Sequence, residues 1–325
     1  MKENEKILEN EINKAMNNEL LTLNSEKTLY ELTTKNVINV ETMLLYNPRY
    51  SNFDYKEIYE IDNIDNEKLN FIIQNKSSTY LITLIKKMKE DKNNLIFYNY
   101  SEGAEDYDKE YEKTKKDFKY NFIFHILRKI NKENSTRAST SDIKKMSSFI
   151  TDKCNSKIEN LIDILGNTEE GAELIGNLTV TENCKKNFSL ATKFCHYMCI
   201  NYFDGIEKDN YSIYDNVVAN NIPKYFEYYK EKILKGISLE NYLNNLFENA
   251  SIEDGLSKAF LTNDDEKKLI IDKDKIIDKD KAESYTKFYK IYQKIIDDII
   301  DSASEIHKQR ISRNGFDHIL WYTNK

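Results

Sequence analysis

Apolar residues along most of the chain recur at helical spacing rather than in alternation. Ile7, Leu8, Ile12, Met16 and Leu20 predict an amphipathic helix over Asn4–Leu23, and a second helix is expected around Val40–Tyr46. Between Leu69 and Tyr98 the apolar clusters have no clean period, so helices are expected there with a short strand at Asn94–Tyr98 as the alternative. Ser101–Asp108 is acidic, contains Gly103 and reads as a loop. Phe122, Phe124, Ile126 and Leu127 predict a buried helix over Phe118–Ile130, followed by a Ser/Thr loop, Asn134–Ser141, placed to start the next helix. A soft domain boundary is expected near Asn131–Ser141.

Beyond Cys154 the pattern is more regular. Ile158, Leu161, Ile162 and Leu165 form a stripe that Gly166 would close as a C-cap. Glu173–Leu178 is short, and Phe188–Phe203 is strongly apolar with Lys193 inside it. Ile213–Ile222, Tyr225–Ile233 and Leu239–Phe247 predict three short helices, with Pro223 opening the second. Asn263–Lys281 carries a duplicated Ile-Ile-Asp-Lys-Asp-Lys and is expected to be an exposed insertion or helix extension. A long helix, Tyr285–His307, leads to the terminal Phe316–Tyr322.

Composition sharpens the fold class. Eight Gly and two Pro in 325 residues leave few turn-makers for a sheet-rich design, so the expected class is mainly α. The expected division is a mostly helical N-terminal region, 1–140, and a C-terminal helical domain, 141–325. The 23 Tyr are read mostly as core or half-buried surface. No apolar run reaches the ~18 residues of a membrane span, which predicts a soluble, cytoplasmic protein without a membrane partner. Cys154, Cys184, Cys195 and Cys199 lack paired metal-ligand spacing and are read as buried free thiols, with no metal.

Charge narrows the partners. A net −7 is the wrong sign for a protein whose whole surface wraps nucleic acid, so any contact with DNA must be local. Lys109–Lys145 holds eleven Lys and Arg (Lys115, Lys116 and Lys129 among them) against five acids, either a solvated helix face or a phosphate-facing patch.

The candidate chemistry lies in Asn187–Tyr197, Asn-Phe-Ser-Leu-Ala-Thr-Lys-Phe-Cys-His-Tyr, and in Tyr-Ser-Ile-Tyr-Asp-Asn-Val-Val from Tyr211 to Val218. An ammonium inside an apolar helical run is costly unless paired or neutral, and Lys193 is such a group. Asp215 stands at the mouth of the next predicted helix, where an N-cap role would keep it ionised.

On these residues the sequence resembles the helix–hairpin–helix DNA glycosylase superfamily, nearest to its 8-oxoguanine glycosylase-like bacterial branch. A family hairpin, Gly-x-Gly-x-Lys, precedes a characteristic aspartate by about twenty residues; Ser189-Leu190-Ala191-Thr192-Lys193 and Asp215 match those positions. The ending Phe316–Trp321, Phe-Asp-His-Ile-Leu-Trp, resembles that of bacterial proteins carrying the same signatures. The resemblance covers roughly Asn155–Lys325 and implies a glycosylase-like C-terminal domain acting in DNA repair, without a cofactor. It implies that Lys193 displaces a modified or damaged base and forms a Schiff base that permits strand cleavage, while Asp215 stabilises the cationic transition state. It further implies that His196, Tyr214, Phe316 and Trp321 face the substrate, and that Lys185, Ser189 and Ala191 join Lys115, Lys116 and Lys129 in holding DNA.

Plainer roles remain open beside these. Lys193 and Asp215 suit an ion pair locking two helices, His196 a satisfied core histidine, and Trp321 core packing. The competing reading of the whole is a non-catalytic protein that kept the scaffold and binds a protein partner or nucleic acid.

Overall fold

A computed structural model describes residues 21–37, 39–40, 122–133, 136–155, 157–181, 187–203, 208–249, 256–262, 267–276 and 281–323. These residues are mainly helical. The helices are α1 (Phe122–Glu133), α2 (Thr140–Lys153), α3 (Ile158–Gly166), α4 (Thr168–Val180), α5 (Asn187–Tyr202), α6 (Asn216–Leu234), α7 (Leu239–Asn249), α8 (Ala282–His307) and α9 (Arg313–Thr323). Two antiparallel bridges, Leu23 to Tyr30 and Leu261 to Leu269, are the β contacts of the described residues. The expectations for 4–20, 41–120 and Lys185 lie outside them.

Helix α8 is the axis of the packing, because Tyr285, Phe288, Tyr289, Tyr292, Ile295, Ile296, Ile299 and Ile300 recur at helical spacing and are all buried. Helices α4, α6 and α9 lie against it; α4 also packs on α5 and α3, and α5 on α1, which meets α2. Burying each large side chain contributes ~1.5–3 kcal/mol. Leu32, Val40 and the α1 residues Ile123, Ile126, Leu127 and Ile130 belong to the same buried cluster, so the two sides of the expected boundary near 131–141 share one core.

Local signals explain several helix starts. Ser139 caps α2 in a reciprocal box with Asp142, and Asn167 accepts from the backbone N–H groups of Glu169 and Glu170 at the start of α4. Asn167, not a left-handed Gly166, ends α3; it serves two helices at once.

Three expectations are corrected. Residues 213–234 do not form two helices broken at Pro223: Ile213–Asp215 is not helical, and a single 19-residue α6 runs through the proline. Pro223 removes one backbone hydrogen bond, but Ile222, Tyr225, Phe226 and Tyr229 bury one continuous face that outweighs it. The described part of Asn263–Lys281 is not an exposed insertion, because Leu269, Ile271 and Ile276 anchor residues 267–276 to the core. Residues 21–23, at the end of the first predicted helix, are not helical.

Gly176 marks the closest approach of α4 and α8. A Cβ there would collide with the Ala282 carbonyl oxygen and with Thr286. Gly176→Ala should therefore lower unfolding stability by about 1–3 kcal/mol in urea titration, since the backbone cannot step aside as a side chain would.

Candidate functional site

Between α5 and α6 the chain crosses the helical core in non-helical form. Tyr211, Ser212, Ile213 and Tyr214 are all buried, yet among the described residues no neighbouring strand supplies hydrogen bonds. Side chains satisfy the backbone instead. Gln293 donates to the Asn210 carbonyl at 2.6 Å, Tyr289 to that of Ser212 at 3.0 Å, and Tyr292 to that of Ile213. The Tyr214 N–H donates to Thr192 Oγ1 at 3.1 Å. An unsatisfied buried amide or carbonyl would cost roughly 1–3 kcal/mol, so these partners fix the path of the segment.

That path brings Asp215 to Lys193. Lys193 Nζ lies 3.3 Å from Asp215 Oδ2, one residue along from the Thr192–Tyr214 contact. The lysine side chain is 6% exposed and the aspartate 17%, which puts the pair at the rim of the core. Asp215 also caps α6, its Oδ1 accepting from the Val218 N–H at 2.9 Å. The cap fixes the orientation of the carboxylate at the start of α6.

A second carboxyl group lies within electrostatic range of the pair. Asp317 on α9 is half-buried, but its Oδ1 is enclosed and has no hydrogen-bond partner among the described residues. Burial first, then the Asp215 carboxylate, push Asp317 up to about 7, against the opposing pull of His318 and Lys193. A buried carboxyl without a donor is poorly explained by packing alone. Asp317 was within reach of the sequence, since it belongs to the quoted Phe316–Trp321 ending, but nothing in that ending separates it from its neighbours.

His196 is a correction to the expected substrate-facing set. It is sealed in the core, with Nδ1 2.7 Å from the Tyr211 carbonyl oxygen and Nε2 3.1 Å from Asn314 Oδ1. Burial lowers it to about 4, helped by the charges of His318 and Lys193, so the ring is neutral at pH 7. Nδ1 then donates to the carbonyl, and Nε2 can only accept, which turns the Asn314 amide to present its NH2. The histidine fastens α5 to the crossing segment and to α9.

Two aromatic expectations are corrected by burial as well. Tyr214 packs edge-on against Phe188 with ring centres 4.9 Å apart, and its hydroxyl accepts from the Lys273 N–H at 3.4 Å. Phe316 is enclosed against Tyr225, with ring centres 5.4 Å apart. Neither ring is open to hold a base. Trp321 is half-buried near the end of α9. Ala191 is fully buried inside α5 and presents no side chain to DNA, while Ser189 is half-buried in the first turn. Both positions are helical, and Leu190, Phe194 and Met198, spaced one turn apart, bury one face of α5. Lys129 belongs to α1; Lys115 and Lys116, like Lys185, lie outside the described residues.

The helix carrying Asp317 is held from below. Asp209 Oδ2 and Oδ1 accept from the Arg313 and Asn314 N–H groups at 2.8 and 3.1 Å, capping α9 from outside its own sequence. The Arg313 guanidinium grips Asp297 of α8 with two bonds of 2.7 Å. Sequence reasoning missed these groups because their partners are far apart in the chain.

No protein-family model, curated protein or solved structure matches the chain. Among the described residues no group of His, Cys, Asp and Glu could hold a metal ion, and no helix is long and apolar enough to cross a membrane. Cys154, Cys195 and Cys199 are free and buried, and burial pushes their thiols up, away from the nucleophilic thiolate. Cys184 lies outside the described residues.

The two shifted groups act in opposite directions on stability. His196 is depressed from 6.5 to about 4, so its contribution is full above 6.5 and is lost as pH falls towards 4, by about 3 kcal/mol in all. Asp317 is raised from 3.8 to about 7, so stability is lost as pH rises through that interval. The windows overlap and partly cancel in the parent protein. Urea titration of Asp317→Asn from pH 4 to 8 should therefore show the variant gaining stability relative to the parent as pH rises.

Proposed function

We propose that the protein is a DNA-base N-glycosylase with Schiff-base lyase chemistry, acting on a modified or damaged base. The observation that carries this reading is the approach of Lys193 Nζ to Asp215 Oδ2, at 3.3 Å, between two residues 22 positions apart in the chain. An amine and a carboxylate positioned by a helix cap are the two groups the chemistry needs. The neutral amine forms an Nζ–C1′ bond as the C1′–N bond breaks, and the base leaves with the bonding pair and takes up a proton. Asp215 stabilises the positive charge that develops on the sugar. The ring then opens to the Schiff base, from which β-elimination breaks the C3′–O bond.

Specific burial favours a second reading. A lysine side chain only 6% exposed and paired with a carboxylate also serves as a lock between α5 and α6. Borohydride trapping on duplex DNA with an abasic site separates the two. If Lys193 is the nucleophile, the parent gives a covalent adduct, and Lys193→Gln abolishes it while remaining folded. Asp215→Asn keeps a capping oxygen and should slow base release more than it weakens binding. If the pair is only a lock, no adduct forms, and removing either charge lowers stability by roughly 3–5 kcal/mol.

DNA would lie against the local basic region. Removing the +6 of Lys109–Lys145 from the total of −7 leaves −13 on the rest of the chain, so attraction must come from this stretch. Binding measured by fluorescence anisotropy should weaken steeply with salt, and Lys115→Glu, Lys116→Glu and Lys129→Glu should weaken it further and flatten the salt slope. Salt-independent binding would rule out this phosphate contact.

A further inference from the structure

Lys193 and Asp215 are carried by elements with different packing partners. Among the described residues α5 packs mainly on α4 and α1, and α6 on α8 and α9. The pair is also too long to draw them together by itself. Nζ to Oδ2 is 3.3 Å, whereas a charge-assisted bond that sets its own geometry closes to about 2.7–2.9 Å. Another contact must therefore decide where Asp215 stands relative to the amine.

Thr192 makes that contact. It is fully buried, and its hydroxyl is used twice: Oγ1 donates to the Ser189 carbonyl at 3.1 Å and accepts from the Tyr214 N–H at 3.1 Å. The first bond stays inside α5 and holds the oxygen on one side of the helix, so the second brings the crossing segment to a fixed point on α5. The bond joins the residue before the amine to the residue before the carboxylate. Consecutive Cα atoms are about 3.8 Å apart across a rigid peptide, so a shift of Tyr214 is passed on to Asp215. Neighbouring contacts hold different things. The Val218 N–H orients the Asp215 carboxylate within α6, Tyr292 ties the Ile213 carbonyl to α8, and His196 holds Tyr211, four residues before Asp215. None of these three ties the backbone next to Asp215 to α5; the Thr192 hydroxyl does.

We infer that Thr192 is a positioning residue: its hydroxyl sets the register of Asp215 on Lys193 and, through it, the rate at which the amine forms an imine. The inference rests on the Schiff-base reading of Lys193, though not on DNA being the carbonyl source. Thr192 is sealed from substrate and acts through the Tyr214 backbone. Thr192→Val keeps the shape but presents a methyl group to the Tyr214 N–H. The buried amide loses its acceptor, and the crossing segment moves off α5 at this point. The Asp215 cap on Val218 is local to α6 and persists.

The test reads Lys193 with two carbonyls. The full chain is treated with formaldehyde and cyanoborohydride at fixed pH, and methylation of Lys193 is followed by peptide mass spectrometry. The same preparations are trapped with borohydride on duplex DNA containing an abasic site. Thr192→Val should lower both rates at Lys193 roughly 10- to 100-fold, the cost of a displacement of about 1 Å at a reacting pair, with the Kd for the DNA unchanged. Thr192→Ser, which keeps the hydroxyl, should recover most of the rate. Thr192→Ala serves if Thr192→Val does not fold: it leaves room for a water to accept the Tyr214 N–H, yet Asp215 loses its register and the rate should again fall. Asp215→Asn should slow the parent but slow Thr192→Val little further, because the hydroxyl acts through the carboxylate. Gly176→Ala loses stability away from the pair and should react at the parent rate, which separates positioning from weakened folding. Parent rates in Thr192→Ala, no recovery in Thr192→Ser, or an additive loss with Asp215→Asn overturns the inference. Trapping that is indifferent to Thr192 removes the positioning role and leaves the glycosylase reading. Methylation of Lys193 that depends on Thr192, without trapping, does the reverse. A Lys193 that neither carbonyl modifies overturns both.

Discussion

The buried, non-helical chain from Asn210 to Tyr214 is the constraint on which the remaining structure depends. A helical core cannot hydrogen-bond a strand that passes through it, so each buried carbonyl needs a side-chain donor. Gln293, Tyr289 and Tyr292 provide donors from one face of α8, and His196 provides one from α5. The Tyr211 hydroxyl reaches outward to the Leu165 carbonyl at 2.9 Å, which ties the same segment to the end of α3. Gly171 on α4 is small for this reason, since a Cβ there would strike the Tyr211 ring.

The wealth of tyrosine acquires a physical meaning here. A phenylalanine at position 289 or 292 would fill the same space but leave a buried carbonyl unpaired. Tyr214 then packs edge-on against Phe188, Phe288 and Tyr292 around the crossing point, with Phe188 edge-on to Phe288 at 5.6 Å. The rings hold the segment rigid up to Asp215, where the chain turns into α6 and the backbone is again satisfied helically. The aspartate therefore stands at a junction between a locked strand and a helix dipole, and its position relative to Lys193 is set by both.

Such a site has little freedom. Thr192 and Lys193 meet Tyr214 and Asp215 as adjacent cross-links, one holding backbone and the other holding charge. Helix α9 closes the cluster with Asp317, and its own start is held by Asp209 and Asp297 rather than by local capping alone. Three elements distant in sequence thus converge on a few ionisable atoms at the edge of the core. That convergence, and not the polarity of any one residue, is what separates this corner from the ordinary surface ion pairs, such as Lys230 with Glu227.

The sequence by itself determined the helical class, the long α8 and a helix start after the Ser/Thr loop Asn134–Ser141, and it singled out Lys193 and Asp215. Those properties are local: apolar spacing, capping side chains and a charge inside an apolar run are all read within a turn or two. Only the tertiary structure decided that α6 runs through Pro223, because the burial of Tyr225, Phe226 and Tyr229 outweighs one lost hydrogen bond. It also decided that His196, Tyr214 and Phe316 are core rather than substrate-facing, since exposure depends on which helices cover a residue and not on its own neighbours in the chain. Asp317 stayed hidden in the sequence for the same reason. A carboxyl on a short terminal helix becomes distinctive only when packing removes its water and its donors, and that removal is the work of the helices packed against α9 rather than of its own sequence.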